Sequence, residues 1–427
     1  MRIAIIGAGI VGVTTAYELA SDGHEVIVYE RHSAVAGETS FANAGVLAPG
    51  YVTPWAAPGM PWKVMRHIFS RHAPVRFGGW NALTQLPWMW RWWRACSRPV
   101  HNANRATLQR LAHFSRERQA GLSTSLRLDY EQSQGYLVLL RTARDAAMAR
   151  AGVQLLTELG VTHELVDASR ARQIEPGLHA ATPLAAAIHL PQDGVGNCRQ
   201  FAHLMKAHAQ QRGALFRFEH RVKRIVPGDR PSLEMELMRQ EGDTQLEPPP
   251  PFDAIIVCAG HQSPALLAPL GVRVPMAPIY GYSVTAPLRH VEGHADIAPR
   301  AGLMDEKYKV AITRLGQRIR VAGTAEIGGR HKVHNEAALR TLYRVLEDWF
   351  PGAAVMSKAQ PWKGARPMLP DGPPLIGVSA APGVWLNLGH GSCGWALSCG
   401  SARVIADLVA GRTPAIDVQG LSLARLL

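Results

Sequence analysis

Cysteine is scarce: the five residues Cys96, Cys198, Cys258, Cys393 and Cys399 are odd in number and never spaced C-x-x-C. That excludes a disulfide framework and a zinc ribbon, fits a reducing compartment, and leaves no metal site to expect. No stretch of about 18 uninterrupted apolar residues occurs, so no spanning helix is expected. Arg2 runs directly into a β pattern without a small-residue cleavage site, so no export signal is expected either. Low complexity is missing too, since 40 Gly and 30 Pro in 427 residues make about 16%, against roughly 25–30% in disordered chains. Negative charge is the minority sign, with 33 Asp plus Glu against 46 Lys plus Arg and a formal charge of +13. Such an excess suits nucleic acid, an anionic membrane face or an acidic ligand. The cations are scattered and form no arm-like run, so nucleic acid is not an expected partner. What is present, 47% hydrophobic residues over 427 positions, buries a sizeable core and divides into two domains.

Ile3, Ala4, Ile5 and Ile6 read as a strand buried on both faces. Gly7, Gly9 and Gly12 (GAGIVG) follow, and Val13, Ala16, Tyr17 and Ala20 fall on one helical stripe. Residues 25–29 (EVIVY) give a second strand that ends at Glu30. This β-α-β unit is a dinucleotide site with a distinct task for each residue. Gly7 permits the tight turn, Gly9 lets backbone approach a pyrophosphate where Ile10 and Val11 open the helix, and Gly12 lets helix and strand pack closely. Glu30 accepts hydrogen bonds from ribose hydroxyls and disfavours a 2′-phosphate, an argument that Arg31 beside it weakens. NAD and FAD remain.

The loop 37–45, with Ser40, Asn43, Ala44 and Gly45, offers hydroxyls and amides to a phosphate or a flavin edge. Seven of the eleven tryptophans lie in residues 54–98, and residues 88–94 read WMWRWWR. The expectation there is a packed helix lining a substrate cleft, with a surface for lipid headgroups as the alternative. Helices are expected over 102–126, 143–159 and 197–212, and near Leu339, Leu342, Leu346 and Trp349; strands over 136–140, 214–218 and 221–226. Residues 252–260 form another buried strand closing on Ala259 and Gly260, placed beside the first sheet. A proline run at 248–251 reads as a surface loop. From 274 to 324 the period becomes two around Gly316, arguing for an antiparallel hairpin in a second sheet. Near the end, Gly389, Gly391 and Gly394 precede an apolar helix whose N-terminus suits negative charge on a cofactor.

Six segments spread in order along the chain, IAIIGAGIVGVTTAYEL, ETSFANAGVLAPGYV, IYGYSVT, RIRVAGTAEIGG, WKGARPMLPDGPPLIG and NLGHGSCGWALSCGS, resemble the FAD-dependent D-amino acid oxidoreductase superfamily. The closest likeness is to the bacterial D-amino acid dehydrogenase small-subunit family. The resemblance implies an α/β fold with a Rossmann-like FAD-binding domain (1–53, 136–270 and 366–427). Interleaved with it is an α+β substrate domain on a mixed or antiparallel sheet (54–135 and 271–365). It implies non-covalent FAD, since the flavin-linking cysteine that some relatives carry near the Arg366 stretch is absent. A D-amino acid is the implied substrate, oxidised to an imine that hydrolyses to a 2-oxo acid and ammonia, with a quinone or other respiratory carrier as acceptor. A secondary amine such as D-hydroxyproline, D-proline or an N-methyl amino acid, or an FAD subunit of a larger electron-transfer complex, stays open. The implied location is cytoplasmic, with contact at the inner face of the cytoplasmic membrane also open.

By the same resemblance Gly7, Gly9, Gly12 and Glu30 hold the ADP half and Val222 meets the adenine. Ser40, Asn43, Ala44, Gly45 and Leu47 approach the flavin, with Ala259, Gly260 and Gly364 nearby, and Gly389, His390, Gly391, Ser392 and Gly394 meet its pyrimidine end. Arg366 is expected to clamp the substrate carboxylate with its guanidinium fork, aided by Tyr280 or Tyr282. His390 is the one base candidate, against a purely structural role. Ser392 stands where glycine oxidases carry an arginine, which argues against a strictly glycine-specific enzyme.

Overall fold

The computed structural model describes residues 1–67, 70–238, 249–290, 297–331 and 333–426, so most of the hydrophilic span before the proline run lies outside the described residues. Two sheets organise the chain. In the first, Arg2–Ile6 is central, flanked in parallel by Glu25–Tyr29 and Ala254–Val257, with Val384–Leu388 parallel beyond the latter. Leu215–Arg217 closes one edge and antiparallel Leu375–Val378 the other. The continuous apolar runs follow from coverage on both faces. Helices Ile10–Ser21, Cys198–Gln211 and Gly394–Val409 bury Val13, Phe201 and Leu397 in one core. The opposite face packs under the ribbon His220–Val226 and Ser232–Leu237.

The second sheet has ten strands. Its part nearest the site runs Gln360–Met368, Ala277–Pro287, Arg318–Ile327, Val310–Leu315, all antiparallel. Gly302–Asp305, Ser133–Leu140, Ala186–Val195 and Val46–Leu47 continue it. Helix Glu336–Trp349 covers one face, setting Leu342, Leu346 and Trp349 against Tyr282, Val284, Ile312 and Val321.

Two placements differ from the sequence reading. Residues 136–195, expected with the FAD-binding half, supply three strands to the large sheet instead, where Leu137–Leu139 pair with Leu303–Asp305. A buried apolar run has the same pattern in either sheet, so pattern alone does not choose. Helix Arg98–Ser125, expected with the substrate half, packs through Leu108, Leu111 and Leu122 into the core of the first sheet. Gly400 makes that contact close: a Cβ there would stand 2.8 Å from Ser115 Cβ.

Candidate functional site

A continuous cleft of about 1230 Å³ runs between the sheets, above the roughly 300–1,000 Å³ of an ordinary small-molecule pocket. At one end lies the first glycine turn. A Cβ at Gly7 (φ +100°) would meet Cys258 O at 2.7 Å, and one at Gly12 would meet Gly7 O at 1.9 Å, whereas one at Gly9 finds only Ser40 Oγ at 3.6 Å. Gly7 and Gly12 are therefore glycine for packing, and Gly9 for access: it lines the cleft with Ile10 and Val11. Glu30, 8% exposed, is held at its strand end by the Ala8 N–H at 2.7 Å and the His32 N–H at 2.9 Å. The Arg31 guanidinium donates to Glu38, so the cation beside Glu30 is committed within the protein. Val222 lines the same end, between Arg221 and Lys223.

Further along, Ser40 Oγ accepts the Ile10 N–H at 3.1 Å. Asn43 and Ala44 face the cleft, as do Ala259, Gly260 and Gly364. Gly45 and Leu47 are not part of its wall. Gly45 takes a left-handed turn over Asn43 Oδ1, which accepts its N–H at 3.1 Å, and Leu47 packs into the core of the first sheet while its neighbour Val46 lines the cleft. Gly389, His390, Gly391, Ser392 and Gly394 form the facing wall. The loop 38–45 is pinned to the large sheet three times: Thr39 Oγ1 donates to Ala365 O (2.6 Å), Ser283 Oγ to Ala42 O (2.8 Å) and Arg320 Nη1 to Asn43 O (2.9 Å). A cofactor held by this loop is thereby fixed relative to the large sheet.

Arg366 sits on that sheet, next to the pinned Ala365. It projects over Gly281, where a Cβ would stand 2.3 Å from its Cζ. Its Nη1 donates to Thr324 O at 2.9 Å, and among the described residues no carboxylate pairs with it. Burial pushes its pKa down to about 10, with the Cys393 thiol opposing, so it is still a cation at neutral pH and burial disfavours that charge until an anion arrives. Thr324 is left-handed (φ 57°), a conformation a β-branched residue rarely takes, and its buried Oγ1 has no partner among the described residues.

The side-chain geometry argues against two expected roles, although Tyr282 and His390 both line the cleft. Tyr280 and Tyr282 project from the face of their strand opposite Arg366, because alternation puts them with Lys363 and Glu326. Tyr282 donates its hydroxyl to Glu326, and Lys363 Nζ lies 4.5 Å and 5.2 Å from the centroids of Tyr280 and Tyr282. His390 is buried, its Nε2 3.0 Å from Ser401 Oγ, and burial drives its pKa down to about 3. A buried imidazole tied into the following helix is a weak base. The helix Leu86–Ala95 also does not line the cleft; Trp55 and Trp362 do.

Residues that the sequence reading missed are Gly281, Thr324 and the Lys363–Glu326 pair. A glycine inside a strand signals close approach, so Gly281 was open to discovery. Nothing in the letters marks Thr324's backbone.

The chain matches the FAD dependent oxidoreductase family over residues 2–408. It is 42% identical to a D-amino acid dehydrogenase of Cereibacter sphaeroides, covering 100% of this chain and 95% of that protein. The D-amino acid dehydrogenase of Rhizorhabdus wittichii is also 42% identical, with 100% of both covered. Among solved structures, glycine oxidase from Geobacillus kaustophilus superposes with a TM-score of 0.75 at 20% identity, over 99% of this chain and 98% of that one. L-proline dehydrogenase from P. horikoshii gives 0.71 at 18% identity, over 100% and 97%. At such identities the structures establish a shared fold. The glycine cradle fits the family's cofactor: Gly9 is open toward the cleft, Glu30 is anchored for a ribose, and the second turn faces both.

Proposed function

Since this chain belongs to the FAD-dependent oxidoreductase family, we propose that it oxidises D-amino acids to 2-oxo acids and ammonia and passes the electrons to a quinone or similar respiratory carrier. The observation that carries the reading is Arg366, a half-buried cation in the cleft wall with no carboxylate partner among the described residues. Its fork matches an α-carboxylate, and the protein's own contacts leave most of its five donors free for one. FAD, when bound, supplies the two-electron acceptor for the Cα hydride, and the resulting imine hydrolyses in water. The residues of the chain bind and orient. Arg366 fixes the carboxylate, the Thr324 carbonyl fixes Arg366, and Trp55, Met60 and Trp362 supply apolar wall suited to uncharged side chains. With His390 spent on Ser401, the ammonium proton leaves to solvent. Gly9, Glu30, Ser40, Asn43, Val222 and Gly389 to Gly394 hold the cofactor without a covalent link.

Anaerobic mixing with D- and L-amino acids, D-proline included, tests this by bleaching of the visible flavin bands. Bleaching by primary D-amino acids, followed by fast recolouring with a soluble quinone and slow recolouring in air, is expected. Bleaching by D-proline alone would assign a secondary amine instead, and a yellow protein bleached by no amino acid would overturn the substrate reading.

A further inference from the structure

Helix Leu86–Ala95 and the turn before it are amphipathic in an unusual sense. The inward side buries Trp88, whose indole N–H donates to Met368 O at 2.9 Å. Outward, Leu83, Leu86, Trp90 and Trp93 fall at successive three- and four-residue steps and are 51%, 54%, 53% and 59% exposed. The neighbouring helix Met60–His67 packs Met60 with Ala95 and Trp92 and turns Trp62, 71% exposed, to solvent. Exposed indoles gathered on one cap are rare on a free surface and mark a binding site. The sequence here is one-sided in charge: no Asp or Glu occurs between Glu38 and Glu117, while ten Lys and Arg do, a net +10 of the chain's +13. Lys63, Arg66, Arg91, Arg94 and Arg98 are exposed on these helices or at the start of the next, and the Arg94 guanidinium lies 4.9 Å from the centroid of the Trp90 ring.

We propose that this cap is a docking surface for an anionic lipid bilayer, entered in the plane of the interface by Leu86, Trp90 and Trp93. Indoles partition to the headgroup level and arginine stems lie along them with the charge at the phosphates. A protein partner would need an acidic apolar groove, for which nothing here argues, whereas a bilayer supplies both properties. Among the described residues no helix is long and apolar enough to cross a membrane, so contact is peripheral. The same cap lines the cleft through Met60, Lys63 and Val64, so docking would set the cleft wall against the bilayer. The inference rests on the proposed quinone only for its purpose; lipid binding is measured without turnover, so either can fail alone.

The test is flotation of the FAD-loaded protein with vesicles of phosphatidylglycerol and phosphatidylcholine, beside pure phosphatidylcholine. Expected is flotation with the anionic vesicles, falling at least about tenfold from low salt to 0.5 M salt. In Trp90→Ser/Trp93→Ser the bound fraction should drop at least about tenfold, while the flavin spectrum and turnover with a soluble dye stay as in the parent protein. Absence of flotation at low salt, or equal flotation of the variant, overturns the proposal. So does a parent protein that sediments as a dimer and a variant that sediments as a monomer without either binding vesicles, which would assign the cap to a second copy of this chain.

Discussion

Lys363 and Arg366 stand three residues apart on one strand, each a half-buried cation, and point to opposite faces of the large sheet. Lys363 is fully engaged: its Nζ donates to Glu326 Oε2 at 2.7 Å and to the carbonyls of Arg330 and Val333 at 2.9 Å and 2.7 Å. Arg366 has one carbonyl, that of Thr324. The difference separates a charge that completes the protein from one that awaits a ligand. A buried ion with all its donors filled is architecture, and one left short has its remaining partner outside the chain.

Removing the open cation should have the largest effect. Arg366→Ala is expected to lower kcat/KM about a thousandfold, roughly 4 kcal/mol of transition-state stabilisation, while the flavin spectrum is kept; Arg366→Lys should recover only part, lacking the fork. Steady-state kinetics on cofactor-loaded protein decide it, and unchanged kinetics would erase the distinction between the two cations. Glu326→Gln acts on the closed side. It strands Lys363 and should cost about 3 kcal/mol of stability, seen as a lower melting temperature, with KM nearly unchanged. Burial raises the Glu326 pKa, but hydrogen bonds from Lys363, Tyr282 and Asn335 outweigh it and hold the carboxyl below its usual range. A depressed folded pKa contributes stability above the unfolded value, near 4.5, and loses it as pH falls through the folded one. The variant should therefore show a flatter acid limb in melting scans below that pH.

Smaller effects sharpen the open side. Gly281→Ala sets a methyl against the guanidinium and should lower kcat/KM by roughly 10- to 100-fold through misorientation, with the melting temperature moving less than in Glu326→Gln. Thr324→Gly keeps the carbonyl that holds Arg366 and relieves a left-handed threonine. Its kcat/KM should stay within about threefold of the parent; a larger loss would give the threonine side chain a part of its own.

How much of this could be read beforehand depended on period and sterics. Gly7, Gly9 and Gly12 were legible because strand, turn and helix agree locally, and Glu30 because it ends the next strand. The place of Arg366 in the cleft wall was legible through its resemblance to a known motif. Period two told that Tyr280 and Tyr282 share a face but not which face meets the cleft, since that is set by where helix Glu336–Trp349 docks. Likewise the assignment of 136–195 to a sheet is made by partners more than a hundred residues away. The acid-free window around the tryptophans escaped a search for runs of cations, because it is defined by what is missing.

The order of the first sheet has a consequence for how the protein is made. Its central strand, residues 2–6, is made well before its neighbour on one side, which begins at residue 254, and that strand's own neighbour, which begins at 384. A nascent chain carries the first glycine turn through most of synthesis without the sheet that holds it in shape, and domains that fold during translation do so only when their parts are present. Flavin is therefore loaded only once residues 384–394 have been made, and products truncated before them should be colourless. In a culture making this protein, yellow colour counts molecules that carry both glycine turns.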